Sequence, residues 1–114
     1  MEEKNKRKLG SQKEALAAGY LEAQGCRILE KNYRNRRGEI DLILEDGGFL
    51  VFAEVKYRST ERSGLPEEAV DIRKQQKIRS VACSYLAGRS ADIPCRFDVI
   101  SILGGKIRWI KDAF

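Results

Sequence analysis

The spacing of apolar residues shifts from helical to alternating and back along this chain. From Ser11 to Gln24, Ala17, Ala18 and Leu21 recur at helical spacing with Glu14 on the same face, and Gly25 supplies the stop. Cys26 to Tyr33 reads as a strand with Ile28 and Leu29 its most apolar positions, and Asn32 to Arg37 as a basic turn. From Gly38 to Arg58, two alternating runs flank Asp46-Gly47-Gly48, a strong hairpin signal. A polar loop, Ser59 to Leu65, leads to Pro66 at the start of a second helix that reaches Ala87 before Gly88. Glu67 and Glu68 suit the positive end of that helix. Cys95 to Leu103 alternates again, and Gly104-Gly105 offers a two-residue turn into Lys106 to Ile110. This order predicts an α/β fold, a mixed β-sheet flanked by helices. Residues 1–9 read as a flexible basic arm, and residues 10–114 as a single domain.

The hairpin carries the candidate chemistry. If Gly47 and Gly48 form a two-residue loop, paired residue numbers sum to 95, which sets Asp41 opposite Glu54 and Glu39 opposite Lys56. Ile40, Leu42, Leu44, Val51, Ala53 and Val55 then share one face, expected to lie under the long second helix. Ile43, Phe52, Asp41, Glu54, Glu39 and Lys56 share the other. Opposed residues stand roughly 5 Å apart, so two carboxylates there repel unless something neutralises them. Such a pair suits a hard divalent cation, Mg²⁺ or Mn²⁺, which takes oxygen ligands and keeps water. Lys56, two residues beyond Glu54, is within reach of a phosphate oxygen or of that water. Together these groups suggest phosphodiester hydrolysis. The alternative is an amphipathic hairpin with a solvated charged face, in which Glu39 and Lys56 form an ion pair worth about 0.2–1 kcal/mol.

Composition narrows the chemistry. The chain of 114 residues has no histidine, which excludes Ser-His-Asp, Cys-His and H-E-x-x-H machinery in their usual forms. Acid–base work falls to carboxylates, lysine, tyrosine or water on a cation. Cys26, Cys83 and Cys95 are widely separated and lack C-x-x-C spacing, as expected of thiols in a reducing compartment. With no apolar run of spanning length and no signal-peptide core, the expectation is a soluble cytoplasmic protein without a membrane partner.

The net charge of +5 favours an anionic partner. Arg34, Arg36 and Arg37 cluster beside the charged end of the hairpin, and Lys74 and Lys77 belong to the basic stretch Arg73 to Arg79 of the second helix. These five are the candidate phosphate contacts for nucleic acid. Glu14 has two readings. It completes the capping box Ser11-Gln12-Lys13-Glu14, and it also shares the helix face that turns toward the sheet.

The ordered landmarks resemble a known family. They are Gly10 and Glu14 followed by Ala17 to Leu21, Asn32-Tyr33-Arg34, Gly38 to Leu42, Phe52 to Lys56, Lys74, and Arg96 to Val99. Asp41 with Glu54-Val55-Lys56 resembles the D…(D/E)-X-K signature of restriction-endonuclease-like nucleases, and the chain from about Gly10 to Ile102 resembles the YraN-like family of uncharacterised bacterial proteins, grouped with archaeal Holliday-junction resolvases. The sequence departs from the pattern at Lys13, where glycine is frequent, and at Ile40, where proline is.

The resemblance implies a restriction-endonuclease-like mixed sheet flanked by helices. It also implies an endonuclease on DNA, including branched or single-stranded forms, with Mg²⁺ or Mn²⁺ as cofactor. Asp41 and Glu54 would bind the cation with the Val55 carbonyl, Glu14 would complete the site, and Lys56 would orient water and stabilise developing charge. Lys74 matches a position where a basic helix residue approaches the site, Asp98 one that steadies neighbouring groups without binding metal. Resolvase-like relatives work as symmetric dimers, which makes a homodimer the implied assembly. Two other functions compete: a non-catalytic nucleic-acid-binding module on the same fold, and an interaction subunit whose basic surface meets an acidic partner.

Overall fold

The computed structural model describes the backbone of residues 2–58, 70–89 and 92–114, and their side chains from residue 12 onward. Helix α1 (Glu2–Ala23) precedes strands β1 (Arg27–Asn35), β2 (Gly38–Asp46) and β3 (Phe49–Arg58). Helix α2 (Ile72–Leu86) then leads to β4 (Cys95–Leu103) and β5 (Lys106–Ile110). The five strands form one sheet in the order β1-β2-β3-β4-β5, antiparallel except for the parallel pair β3–β4. A parallel pair needs a crossover, and α2 lies within it. The expected α/β class with a mixed sheet is what the chain adopts, and the architecture is compatible with a restriction-endonuclease-like fold. No helix among the described residues is long and apolar enough to cross a membrane.

The hairpin turns where the sequence says it should. Gly47 (φ 55°) and Gly48 (φ 92°) both occupy the left-handed region, which a side chain would resist, and the pairs run from Asp46↔Phe49 to Leu42↔Ala53 in the expected register. Both hairpin faces are apolar near the turn, so each needs a helix. Leu42, Leu44, Val51 and Ala53 pack against Ala17, Ala18 and Leu21 of α1. This corrects the expectation that the second helix covers that face. Helix α2 instead packs Ile78, Val81, Ala82 and Tyr85 on Ile43, Leu50, Phe52 and Val99.

Ile40 also departs from the expectation. It joins the α2-side core with Ile43, although simple alternation assigns it to the Leu42 face. The alternation therefore breaks around Asp41. Here the β2–β3 ladder gives way, and the Val55 N–H donates to Asp41 Oδ2 at 2.9 Å. The neighbouring strand is distorted at the same level, where Asn32 has φ 54°.

Both helix starts differ from the sequence reading. Helix α1 extends back to Glu2, so residues expected in a loose arm continue the helix and Ser11 is an interior position instead of a cap. The Glu, Lys and Arg of this stretch are good helix formers. Helix α2 starts later than Pro66, because Asp71 is its cap and accepts from the Lys74 N–H at 2.8 Å. Pro66 to Ala69, and the loop expected from Ser59 to Leu65, lie outside the described residues. Strand β1 runs on through Asn35, which shortens the expected basic turn to Arg36 and Arg37.

A buried network lies near the turn end of the sheet. Asp98, without exposed surface, accepts from Arg96 Nε and Nη2 at 2.9 and 2.8 Å, from Trp109 Nε1 at 2.8 Å and from the Asp112 N–H at 2.9 Å. Arg96 also donates to Asp46 at 2.8 Å. The two carboxylates raise the already basic Arg96, and Arg96 in turn holds Asp46 below its ordinary range.

Candidate functional site

Where the β2–β3 ladder gives way, a cleft of about 390 Å³ opens between the sheet and α2. Glu39 and Asp41 line it from β2, Glu54 from β3, and Arg73, Lys74 and Lys77 from α2. The break explains the opening. Asp41 spends one oxygen on the Val55 amide, so its side chain bridges the two strands where a regular pair would have closed them.

Glu54 is the most constrained acid here, at 2% exposure. Its Oε1 meets Lys74 Nζ at 3.0 Å, whereas its Oε2 is buried without a hydrogen-bond partner. Burial, and then the adjoining Asp41 carboxylate, push Glu54 up to about 8 against the opposing pull of Lys74. Two facing carboxylates contain only acceptors, so a shared proton or a cation has to come between them. Lys56 is pushed down, first by burial and then by the ammonium of Lys74. Burial acts to lower Lys74 too, but Lys56, Glu54 and Asp41 together raise it.

The α1 side adds more acid. Glu14, Glu39 and Asp41 each offer a carboxylate oxygen, and these oxygens lie within 4.8 Å of one another. Burial raises Glu14, a hydrogen bond with Asn32 counteracts this, and the charges of Asp41 and Glu39 raise it further. Glu39 pairs with Arg34 of β1 at 3.2 Å, not with Lys56 as strand pairing predicts, because Arg34↔Glu39 are direct β1–β2 partners. The sequence reading missed Glu39 as part of the acidic group. The signal available was its position two residues from Asp41 in Gly38-Glu39-Ile40-Asp41.

The structure thus gathers Glu14, Asp41, Glu54, Lys56 and Lys74 in one place, with Val55 bonded through its amide. Lys77 lines the same cleft. The arginines are more dispersed. Arg34 is held by Glu39, Arg37 donates to Ser80 Oγ on α2 at 2.9 Å, and Arg36 is exposed in the β1–β2 turn. Arg73 joins the cleft wall in their place, one helix position before Lys74.

The raised Glu54 has a measurable consequence. Below its ordinary value of 4.5, folded and unfolded chains both hold the proton and the group is neutral to stability. Between 4.5 and about 8, the unfolded chain releases the proton while the folded one keeps it, so stability falls as pH rises; above that window the contribution levels off. Glu54→Gln removes this slope. The variant is expected to melt like the wild type at the acid end and above it at the alkaline end, as read by cation-free melting temperatures across the window. Parallel curves for the two proteins would show that Glu54 ionises normally.

Comparison with known proteins places the chain among close relatives. A family model described as "Uncharacterised protein family UPF0102" matches residues 13–102. A UPF0102 protein of Lachnoclostridium phytofermentans is 49% identical over 112 residues, covering 96% of this chain and 95% of the relative. That of Thermodesulfovibrio yellowstonii is 46% identical, covering 93% and 95%, and that of Chlorobaculum parvum is 51% identical, covering 87% and 78%.

Proposed function

The chain belongs to the uncharacterised protein family UPF0102, and from the chemistry of its cleft we propose that it is a divalent-cation-dependent endonuclease that hydrolyses DNA phosphodiester bonds. The observation that carries this reading is Glu54 Oε2, a buried oxygen without a partner beside the Asp41 carboxylate. An all-oxygen donor set with that unmet need fits Mg²⁺ or Mn²⁺ and suits softer metals poorly. Asp41, Glu54 and Glu14 would hold the cation, with the Val55 carbonyl as a further oxygen. When bound, it supplies Lewis-acid polarisation of the phosphodiester and activation of water near neutral pH, without histidine.

The remaining residues supply binding and proton handling. Lys77 and Arg73 on the cleft wall, with exposed Arg36 nearby in the chain's basic turn, attract the phosphate backbone. Lys74 holds Glu54 Oε1, and Oε2 is left without a protein partner for a cation to use. Lys56, lowered by burial and by Lys74, orients the attacking water and donates to the phosphoryl oxygens as charge gathers there.

The test is a titration of Mg²⁺ and Mn²⁺ against linear duplex, single-stranded, flapped and four-way DNA, with Asp41→Asn alongside. The wild type is expected to cut at least one substrate only when cation is present, and the variant to cut none. DNA binding by the wild type without cutting on any substrate would overturn the proposal in favour of a binding module. Equal cutting by the two proteins would mark a contaminating nuclease.

A further inference from the structure

Asp41 has acids on two sides, and their charges are balanced unequally. Toward β3 it meets Glu54, where Lys74 lies 3.0 Å from the Glu54 carboxylate and Lys56 stands beside Lys74. Toward α1 it meets Glu14 and Glu39, with ligand oxygens within 4.8 Å of each other. The cation paired with that trio among the described residues is Arg34, 3.2 Å from Glu39 with its side chain 74% exposed. One solvated guanidinium on the rim is weak compensation for half-buried Glu14 and Glu39, since water screens it strongly.

A second observation points the same way. Glu54, almost wholly buried, lines the same cleft as Glu39 and Asp41, and its Oε2 has no hydrogen-bond partner. Asp41 therefore neighbours Glu54, which carries an unsatisfied oxygen, as well as Glu14 and Glu39. The charges of Lys56 and Lys74 act on Asp41 and Glu54, so the shortage of positive charge lies on the side of Glu14 and Glu39.

We propose that Glu39 is a ligand of the divalent cation together with Glu14 and Asp41, and that Arg34 is a placeholder that holds Glu39 until the cation displaces it. This rests on the cation-dependent reading above and adds a residue and an order of events to it. Arg34, once released beside the cleft, becomes available to a substrate phosphate. Cation binding and nucleic-acid binding then favour each other, because one event frees the group the other uses.

Calorimetry with Mn²⁺ alone, on the full chain without nucleic acid, tests the proposal in two directions. Glu39→Gln is expected to weaken Mn²⁺ binding roughly tenfold or more, because one charged oxygen ligand is lost. Arg34→Gln is expected to tighten it severalfold, because the competitor for Glu39 is gone. An ordinary surface ion pair would leave both affinities unchanged. Wild-type affinity in Glu39→Gln, with Asp41→Asn unable to bind, overturns this inference and leaves the cation site standing. Failure of the wild type to bind Mn²⁺ overturns the cation reading itself. Should Glu39→Gln not fold, Arg34→Gln decides alone, since it keeps every acid: tighter binding supports the placeholder role, and equal or weaker binding ends it.

Discussion

Lys56→Ala is expected to give a protein that folds and binds DNA but cuts it about 10²–10³-fold more slowly, the usual consequence of removing one group that stabilises transition-state charge. The residue is half-buried and its ammonium is already lowered by burial and by Lys74, so truncation removes a strained charge instead of a stabilising one. Thermal stability is therefore expected to hold or to rise slightly. Binding changes little because Lys77 and Arg73 remain on the cleft wall. An effect on rate without a matching effect on affinity identifies a group that acts in the transition state. The measurement compares melting temperature, DNA affinity and Mn²⁺-dependent nicking for both proteins in parallel preparations. Equal nicking would remove Lys56 from the mechanism. A modest stability loss with nothing else would instead restore a plain ion-pair role, against the geometry that gives Glu39 to Arg34.

Asp98→Ala is expected to cost about 3–5 kcal/mol, the range for leaving a buried charge without its partner. That is a large share of the roughly 5–15 kcal/mol that holds a domain together. Four hydrogen bonds converge on this carboxylate, and Arg96 is 11% exposed, so water cannot replace what is lost. Asp46→Ala should cost much less, because Asp46 is more open and Arg96 keeps its two bonds to Asp98. Asp98 pairs with Ala53, one residue from Glu54, but alternation turns the Asp98 and Glu54 side chains to opposite faces of the sheet, so the network lies behind the cleft and not in it. The variant should thus keep any cation-dependent activity at temperatures where it stays folded. Urea unfolding at neutral pH gives the first value, and nicking well below the melting temperature gives the second. A loss under 1 kcal/mol would mean the network is not formed in solution.

Much of the cleft was legible in the sequence because its framework is local. Asp46-Gly47-Gly48 dictates a two-residue loop, and the loop sets every pair down to Leu42↔Ala53. Strand β4 and the Gly104-Gly105 turn into β5 follow from the same kind of short-range information. The register pointed Asp41 and Glu54 toward each other. The structure brings them together by a different route, through a broken ladder and an amide bond to Val55.

What the sequence by itself determined is the set of elements, the hairpin register near its turn, and the chemistry available: acids, lysines and no histidine. These follow from turn residues and alternation, which act over a few positions. The tertiary structure alone decided the partners. It put α1, not α2, over Leu42 and Val51, brought Lys74 to Glu54 and gave Glu39 to Arg34. It also gathered Arg96, Trp109 and Asp112 around Asp98. A charged side chain in a linear sequence can pair with any of several neighbours. Only the packing of both helices on the sheet fixes which of them it meets, and how far water is kept from the pair.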